Sequence, residues 1–203
     1  MGHDSRAPFL FGVWMSKRKK SIRFVSRGGD KLDGALDVFG LDVAGYTAVD
    51  LGANVGGFTD CLLQRGANRV YAVDTGYGVL DWKLRQDDRV VVMERTNALH
   101  MSLPERVYLA VVDVGWTPMI RIVPVALDLV MPEGYVVALL KPQYEAKDDE
   151  LEKGVVLPDC LGNVVDRAIT GLLDLGIQVA NQTASCIAGS GGNQEFLVLL
   201  KSV

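Results

Sequence analysis

The chain has 203 residues, 49% of them hydrophobic and 23% charged. That length carries one domain with a substantial core, and the balance excludes disordered, collagen-like and coiled-coil chains. The formal charge is −4, so a uniformly basic nucleic-acid binder is excluded as well. The charge is unevenly spread. Residues 16–31 hold Lys17, Arg18, Lys19, Lys20, Arg23, Arg27 and Lys31 against Asp30 alone, a window of +6 that leaves −10 for the rest. An acidic globule with one basic arm is expected to have a polyanionic partner.

In chain order, residues 8–15 are largely apolar, but no small-residue cleavage site follows and the lysines lie on the wrong side for a secretory signal. Residues 1–14 are read as an upstream extension, and 1–24 as an N-terminal extension carrying the basic arm, ahead of one domain over 25–203. Residues 48–51 are an apolar run ending in a glycine-rich loop. A helical pattern of Phe58, Cys61, Leu62 and Leu63 follows, with Gly66 as its stop. Residues 70–74 read as a strand, 80–85 as a short helix, 90–93 as a third strand and 109–114 as a fourth. Residues 118–131 have helical spacing, with Pro118 near the first turn and Pro124 as a kink or a shifted start. A fifth strand over 135–140, a helix over 158–175 and strands over 178–187 and 196–200 complete the chain. Residues 147–153, rich in acids and lysines, read as a solvated loop. Near-continuous apolar strands alternating with helices predict a doubly wound, mostly parallel seven-stranded α/β sheet.

Three scattered cysteines form neither a zinc-type pair nor a disulfide framework, which points to a reducing cytoplasm and no metal. Cys61 is expected to be packing. His100 has no accompanying nucleophile motif, so a Ser-His-Asp triad is disfavoured. No apolar run approaches the ~20 residues of a membrane span.

Doubly wound sheets bind ligands beyond the C-terminal strand ends. The loop there begins Asp50-Leu-Gly-Ala-Asn-Val-Gly-Gly-Phe58. Asn54 stands in the place of the second glycine of a dinucleotide fingerprint, and no Gly-Lys-Ser/Thr follows to make a P-loop. The spacing is D-x-G-x-x-x-G. Gly52 permits a tight turn, and Gly56 and Gly57 are expected to let a ligand approach the helix N-terminus. Asp74, ending the next strand, is placed to accept hydrogen bonds from ribose hydroxyls. Either feature alone is equally a turn or a loop cap. Together they favour the adenosyl-binding arrangement of class I, Rossmann-like methyltransferases.

The segments Val25-Ser-Arg-Gly-Gly-Asp-Lys-Leu32, Asp50 to Ala67, Val70-Tyr-Ala-Val-Asp74, Leu80-Asp-Trp-Lys-Leu-Arg85, Glu94-Arg-Thr-Asn97, Lys141-Pro-Gln-Tyr-Glu145 and Gly192-Asn-Gln-Glu-Phe196 resemble, in order, the TlyA-type (haemolysin-A-like) ribosomal RNA methyltransferases of the FtsJ-like group. The resemblance implies S-adenosylmethionine as cofactor, a ribose 2′-hydroxyl of ribosomal RNA or a ribosomal subunit as acceptor, and a cytoplasmic enzyme. It implies a catalytic tetrad of Lys31, Asp113, Lys141 and Glu195. The cofactor is expected on Asp50, Gly52, Ala53, Asn54, Gly56, Gly57, Phe58, Asp74, Asn97 and Asp113. RNA is expected on Lys17, Arg18, Lys19, Lys20, Arg23 and Arg27. A methyl sulfonium is already activated, so the enzyme must mainly align a nucleophile behind it. Lys141 is expected to orient or deprotonate the hydroxyl.

The chain departs from the family pattern at Asn54-Val55 (Ser-Thr), Gly115-Trp116 (Ser-Phe) and Leu99 (Arg). TlyA-type proteins also carry a small N-terminal RNA-binding domain, whereas only the basic arm and the extension precede Ser26 here. The competing readings are a methyltransferase for another RNA or a small molecule, a non-catalytic binding module, and a membrane-active haemolysin. The last lacks a span or a strong amphipathic cationic helix.

Overall fold

A computed structural model describes residues 23–189 and 191–201. Its helices are α1 (Gly28–Phe39), α2 (Gly57–Gln64), α3 (Trp82–Arg85), α4 (Met119–Leu129) and α5 (Leu161–Asp174). Its strands are β1 (Thr47–Leu51), β2 (Arg69–Val73), β3 (Val90–Met93), β4 (Val107–Val112), β5 (Val130–Leu140), β6 (Leu151–Glu152), β7 (Val155–Val156), β8 (Gln178–Ala184) and β9 (Phe196–Lys201). Seven of them form one sheet in the order β3-β2-β1-β4-β5-β9-β8, while β6 and β7 make a separate hairpin. Strands β1 to β5 pair in parallel, and β9 runs antiparallel between β5 and β8.

The centre of the sheet is buried on both faces because β1, β4 and β9 are almost wholly apolar while the pleat sends neighbours to opposite sides, whereas the edge strand β8 is polar and largely exposed. Ala48, Leu109 and Val111 face one core with Leu32, Leu36 and Leu62 from α1 and α2. Val49, Ala110 and Val112 face the other with Ile122, Val123 and Leu172 from α4 and α5. Each fully buried leucine contributes ~1.5–3 kcal/mol over an exposed one. Cys61 lies in the first core, where burial pushes its thiol up to about 12. It is packing, as expected.

Sequence reading and structure part at α1, at the α4–β5 boundary and over residues 147–153. The sequence reading assigns no element ahead of residue 48, where the structure has α1, with Lys31 on it. That helix has no side-chain cap at Arg27 to announce it, but Leu32, Ala35, Leu36 and Phe39 keep helical spacing, and Gly40 closes it at φ +62°. Helix α4 stops at Leu129, and β5 starts immediately after it. Pro132 biases Met131 away from helix. Pro124 lies inside α4, where its missing N–H leaves the carbonyl of half-exposed Ile120 to water. The stretch 147–153 is not a plain loop but a short 3₁₀ turn leading into the β6–β7 hairpin. The hairpin reverses at Lys153 (φ +50°) and Gly154 (φ +81°), the signs of a type I′ turn.

Polar contacts fasten α1 to α2. Arg65 bridges Asp33 and Asp37, and Arg23 also pairs with Asp33. Buried Asp60 accepts the Val25 N–H at 2.9 Å and the Lys83 ammonium at 3.0 Å. Among the described residues no helix is long and apolar enough to cross a membrane.

Candidate active site

A cleft of about 780 Å³ opens over the C-terminal ends of the central strands. On one side it is floored by the loop after β1. Gly52 turns there at φ +90°, and a Cβ on it would come within 2.7 Å of the Asp113 carbonyl oxygen. The loop and the end of β4 therefore meet backbone to backbone. Beneath them Asp50 is fully buried. Its Oδ2 accepts from the Thr59 N–H at 2.9 Å and hydroxyl at 2.7 Å, while Oδ1 has no partner among the described residues. Burial pushes this carboxyl up to about 7. The Thr59 bonds oppose that shift, and the charges of Asp113 and Asp74 add to it.

Asp74 follows β2 into the cleft, accepting from the Asn54 N–H at 2.8 Å and the Gly76 N–H at 2.7 Å. Each oxygen keeps a free lone pair for a hydroxyl. Ala53, Asn54, Gly57, Phe58 and Asn97 also line the cleft, although Phe58 belongs mainly to the core. Asn97 accepts from the Leu99 N–H at 3.0 Å, capping a short turn.

Asp50 and Gly56 do not line the cleft. The paired glycines serve the protein's own packing. A Cβ on Gly56 would strike Leu84 at 2.2 Å and Leu80 at 2.8 Å. One on Gly57 would meet Ser26 Oγ at 2.2 Å and Gly29 N at 2.9 Å.

The four residues of the expected tetrad come together on the opposite wall, as two ion pairs. Lys141 leaves the end of β5 and reaches Asp113, which follows β4, and it donates to the Val114 carbonyl at 3.1 Å. Lys31, one turn into α1, pairs with Glu195, which precedes β9. All four line the cleft and all are largely buried. Gly189 makes room for the acid: a Cβ there would lie 2.4 Å from Glu195 Oε1.

The rim carries aromatic side chains. Trp116 is 86% exposed at φ +51°, a left-handed conformation unusual for a bulky residue. Its ring lies 6.1 Å from that of Tyr144, whose face looks toward the Lys141 ammonium at 5.9 Å. Beyond the residues that line the cleft, Arg95 stacks over exposed Tyr77 at 4.1 Å, and Trp82 is exposed as well. Glu145 accepts from the Met119 N–H at 2.7 Å, so the segment after Lys141 caps α4, and burial pushes its carboxyl up. The sequence singled out Trp116 only as a departure from the family pattern, and gave no role to Tyr144 and Glu145, although both lie in the Lys-Pro-Gln-Tyr-Glu motif. Of the residues expected to meet RNA, Arg27 is exposed and lines the cleft. Arg23 is half exposed, stacked on Phe24 and paired with Asp33. Lys17, Arg18, Lys19 and Lys20 lie outside the described residues.

A sheet of this strand order, with two lysine–carboxylate pairs facing a glycine loop, invites comparison with known proteins. The model of the FtsJ-like methyltransferase family matches residues 24–202. The chain belongs to that family. YqxC of Bacillus subtilis, an rRNA methyltransferase by name, is 43% identical over 88% of this chain and 66% of its own length. The 16S/23S rRNA (cytidine-2′-O)-methyltransferase TlyA of Mycobacterium tuberculosis is 39% identical over 88% of this chain and 69% of its own. A solved Lactococcus lactis structure titled as a hemolysin superposes with a TM-score of 0.85 at 38% identity, covering 90% of each chain. At 14–17% identity, solved S-adenosylmethionine-dependent methyltransferases share the fold. This FtsJ-like methyltransferase therefore spans about two thirds of the length of YqxC.

Proposed function

We propose that the chain transfers a methyl group from S-adenosylmethionine to a ribose 2′-hydroxyl of ribosomal RNA, in the cytoplasm. One observation carries the reading: both lysine–carboxylate pairs and the Gly52–Asp74 loops open into a single cleft. The residues fit the cofactor. Asp74 has spare acceptor capacity for a ribose diol, and Gly52 and Ala53 leave the loop without bulk. When bound, S-adenosylmethionine supplies a methyl on a sulfonium, which needs only an aligned nucleophile.

The chain's own groups supply that alignment. Asp113 and the Val114 carbonyl fix the Lys141 side chain at the strand end, where the ammonium gives up a proton to solvent and the free amine then orients the ribose hydroxyl and takes its proton. The Lys31–Glu195 pair closes the other side of the pocket and keeps a second cation near the reacting oxygen. Unstacked bases find aromatic faces at Trp116, Tyr144 and Tyr77. Arg27, Arg23 and the cluster Lys17, Arg18, Lys19 and Lys20 meet phosphates. Trp116, Tyr144 and the exposed Arg27, all at the cleft, support an RNA acceptor over a small molecule.

The test is methyl incorporation into unmodified bacterial ribosomal subunits, naked rRNA and small alcohols, with mass mapping of the product. Calorimetry with S-adenosylmethionine runs in parallel. Lys141→Ala is expected to lower the turnover rate by ~10²–10⁴-fold with cofactor affinity retained. Full activity of that variant at saturating cofactor refutes the role of Lys141, and absence of cofactor binding by the wild-type chain refutes the whole reading.

A further inference from the structure

Asn193 lies outside the cleft lining, yet it is 5% exposed and both ends of its amide are engaged. Its Oδ1 accepts from the buried Val156 N–H at 2.9 Å, and its Nδ2 donates to the Gly154 carbonyl at 2.9 Å. The side chain thus acts as one more strand, laid along the outer edge of the β6–β7 hairpin. Its own carbonyl accepts from the Gly189 N–H at 2.9 Å, and Gly189 is the residue whose bare backbone makes room for the Glu195 carboxylate. Two residues beyond Asn193 comes Glu195 itself. The hairpin, for its part, continues the segment that starts at Lys141. It is pinned to α5 by Arg167, which pairs with Glu150 and donates to the Glu145 carbonyl at 3.3 Å.

We infer that Asn193 is a positioning residue that holds Glu195 on Lys31, by tying the loop ahead of β9 to the hairpin that follows Lys141. Its catalytic meaning rests on the function proposed above, but its geometry does not. Without the amide, Val156 N–H and Gly154 C=O lose their partners and the loop loses its tie to the hairpin, keeping its bonds to Gly189 and to Ser185, whose N–H donates to the Glu195 carbonyl at 2.8 Å. Glu195 then leaves the pocket that Gly189 makes for it, and Lys31 loses its counter-ion. Asn193 touches no reacting atom, so its effect falls on turnover and not on cofactor affinity. A displacement of ~1 Å at a reacting group costs ~10²-fold in rate.

The experiment compares the full chain with Asn193→Ala, Asn193→Asp and Val156→Pro. Proline at 156 deletes the same hydrogen bond from its other end. Brief acetylation followed by mass spectrometry reads the accessibility of Lys31, with Lys141 and Lys201 as internal references. Asn193→Ala and Val156→Pro are each expected to raise Lys31 labelling severalfold, toward the level of Glu195→Gln, with both reference lysines unchanged. The double variant is expected to go no further than either single one. Asn193→Asp keeps the acceptor for Val156 and is expected to recover part of the protection. Unchanged Lys31 labelling in Asn193→Ala, or a parallel rise at Lys201, overturns the inference. In the methyl-transfer assay Asn193→Ala is expected to lose roughly 10²-fold in kcat, with the S-adenosylmethionine Kd within about twofold. A wild-type chain that transfers no methyl refutes the proposed function, while the labelling still decides the role of Asn193.

Discussion

Replacing Gly57 by alanine separates two roles for a glycine beside a ligand cleft. If the missing side chain makes room for cofactor, Gly57→Ala weakens cofactor binding and leaves the fold alone. The structure points the other way. The added methyl would sit 2.9 Å from Gly29 N and 3.2 Å from Gly28 Cα, both backbone atoms with no rotamer to escape into. Restoring an ordinary 3.4 Å contact moves the start of α1 by about 0.5 Å, because Ser26 Oγ at 2.2 Å can rotate away but Gly29 N cannot. Overpacking of this kind costs ~1–3 kcal/mol. In a chain of this size that lowers Tm by roughly 2–12 °C. Lys31 lies two residues beyond Gly29 on the displaced helix, so turnover is expected to fall by ~10–100-fold. Thermal unfolding and steady-state kinetics on the same preparation measure both losses, and adding Ser26→Gly is expected to restore neither. Normal stability and normal kcat, with only a weaker cofactor Kd, would refute the packing argument.

Two further predictions follow from the cleft. The Asp50 carboxyl titrates at about 7 in the fold and near 3.8 in the unfolded chain. Between those values the native state holds a proton that the unfolded state does not. Stability from this group is therefore complete below pH ~4 and is lost as pH rises through ~7, by on the order of 4 kcal/mol. Asp50→Asn is expected to flatten the Tm–pH curve between pH 4 and 7, and parallel curves for the two proteins contradict the shift. Trp116→Ala removes a stacking face worth ~1–3 kcal/mol per base. KM for RNA is expected to rise roughly 5–150-fold with cofactor Kd unchanged and Trp116→Phe near wild type. An unaltered RNA KM removes Trp116 from the acceptor site.

The parallel sheet was legible because its strands are apolar on both faces and short, and because glycines and prolines punctuate the helices. The acids and lysines at strand ends were legible for the same reason: a charge directly after an apolar run, as at Asp113 and Lys141, has nowhere to point but the ligand edge. Helix α1 was hidden by its glycine start, its uncapped first turn and the charge count that drew attention to residues 16–31. Gly56 and Gly57 were legible as special positions but not in purpose, since what they make room for is Leu84, Leu80 and the backbone at Gly28 and Gly29. Asn193 stands in the Gly192–Phe196 motif, but its purpose was not legible, because its partners Gly154 and Val156 lie 39 and 37 residues away and form a hairpin of two-residue strands.

Lys31 and Glu195 are 164 residues apart, and β9 fills the place between β5 and β8. On a ribosome adding ~5–20 residues per second, roughly 10–30 s separate the appearance of the two charges. β8, made only near the end of that interval, has to wait for β9 to pair with, and until then the cleft lacks one of its two lysine–carboxylate pairs. Assembly of the proposed catalytic centre is thereby a late event in the life of the nascent chain, and a chain arrested before residue 195 is born without the acid that completes it.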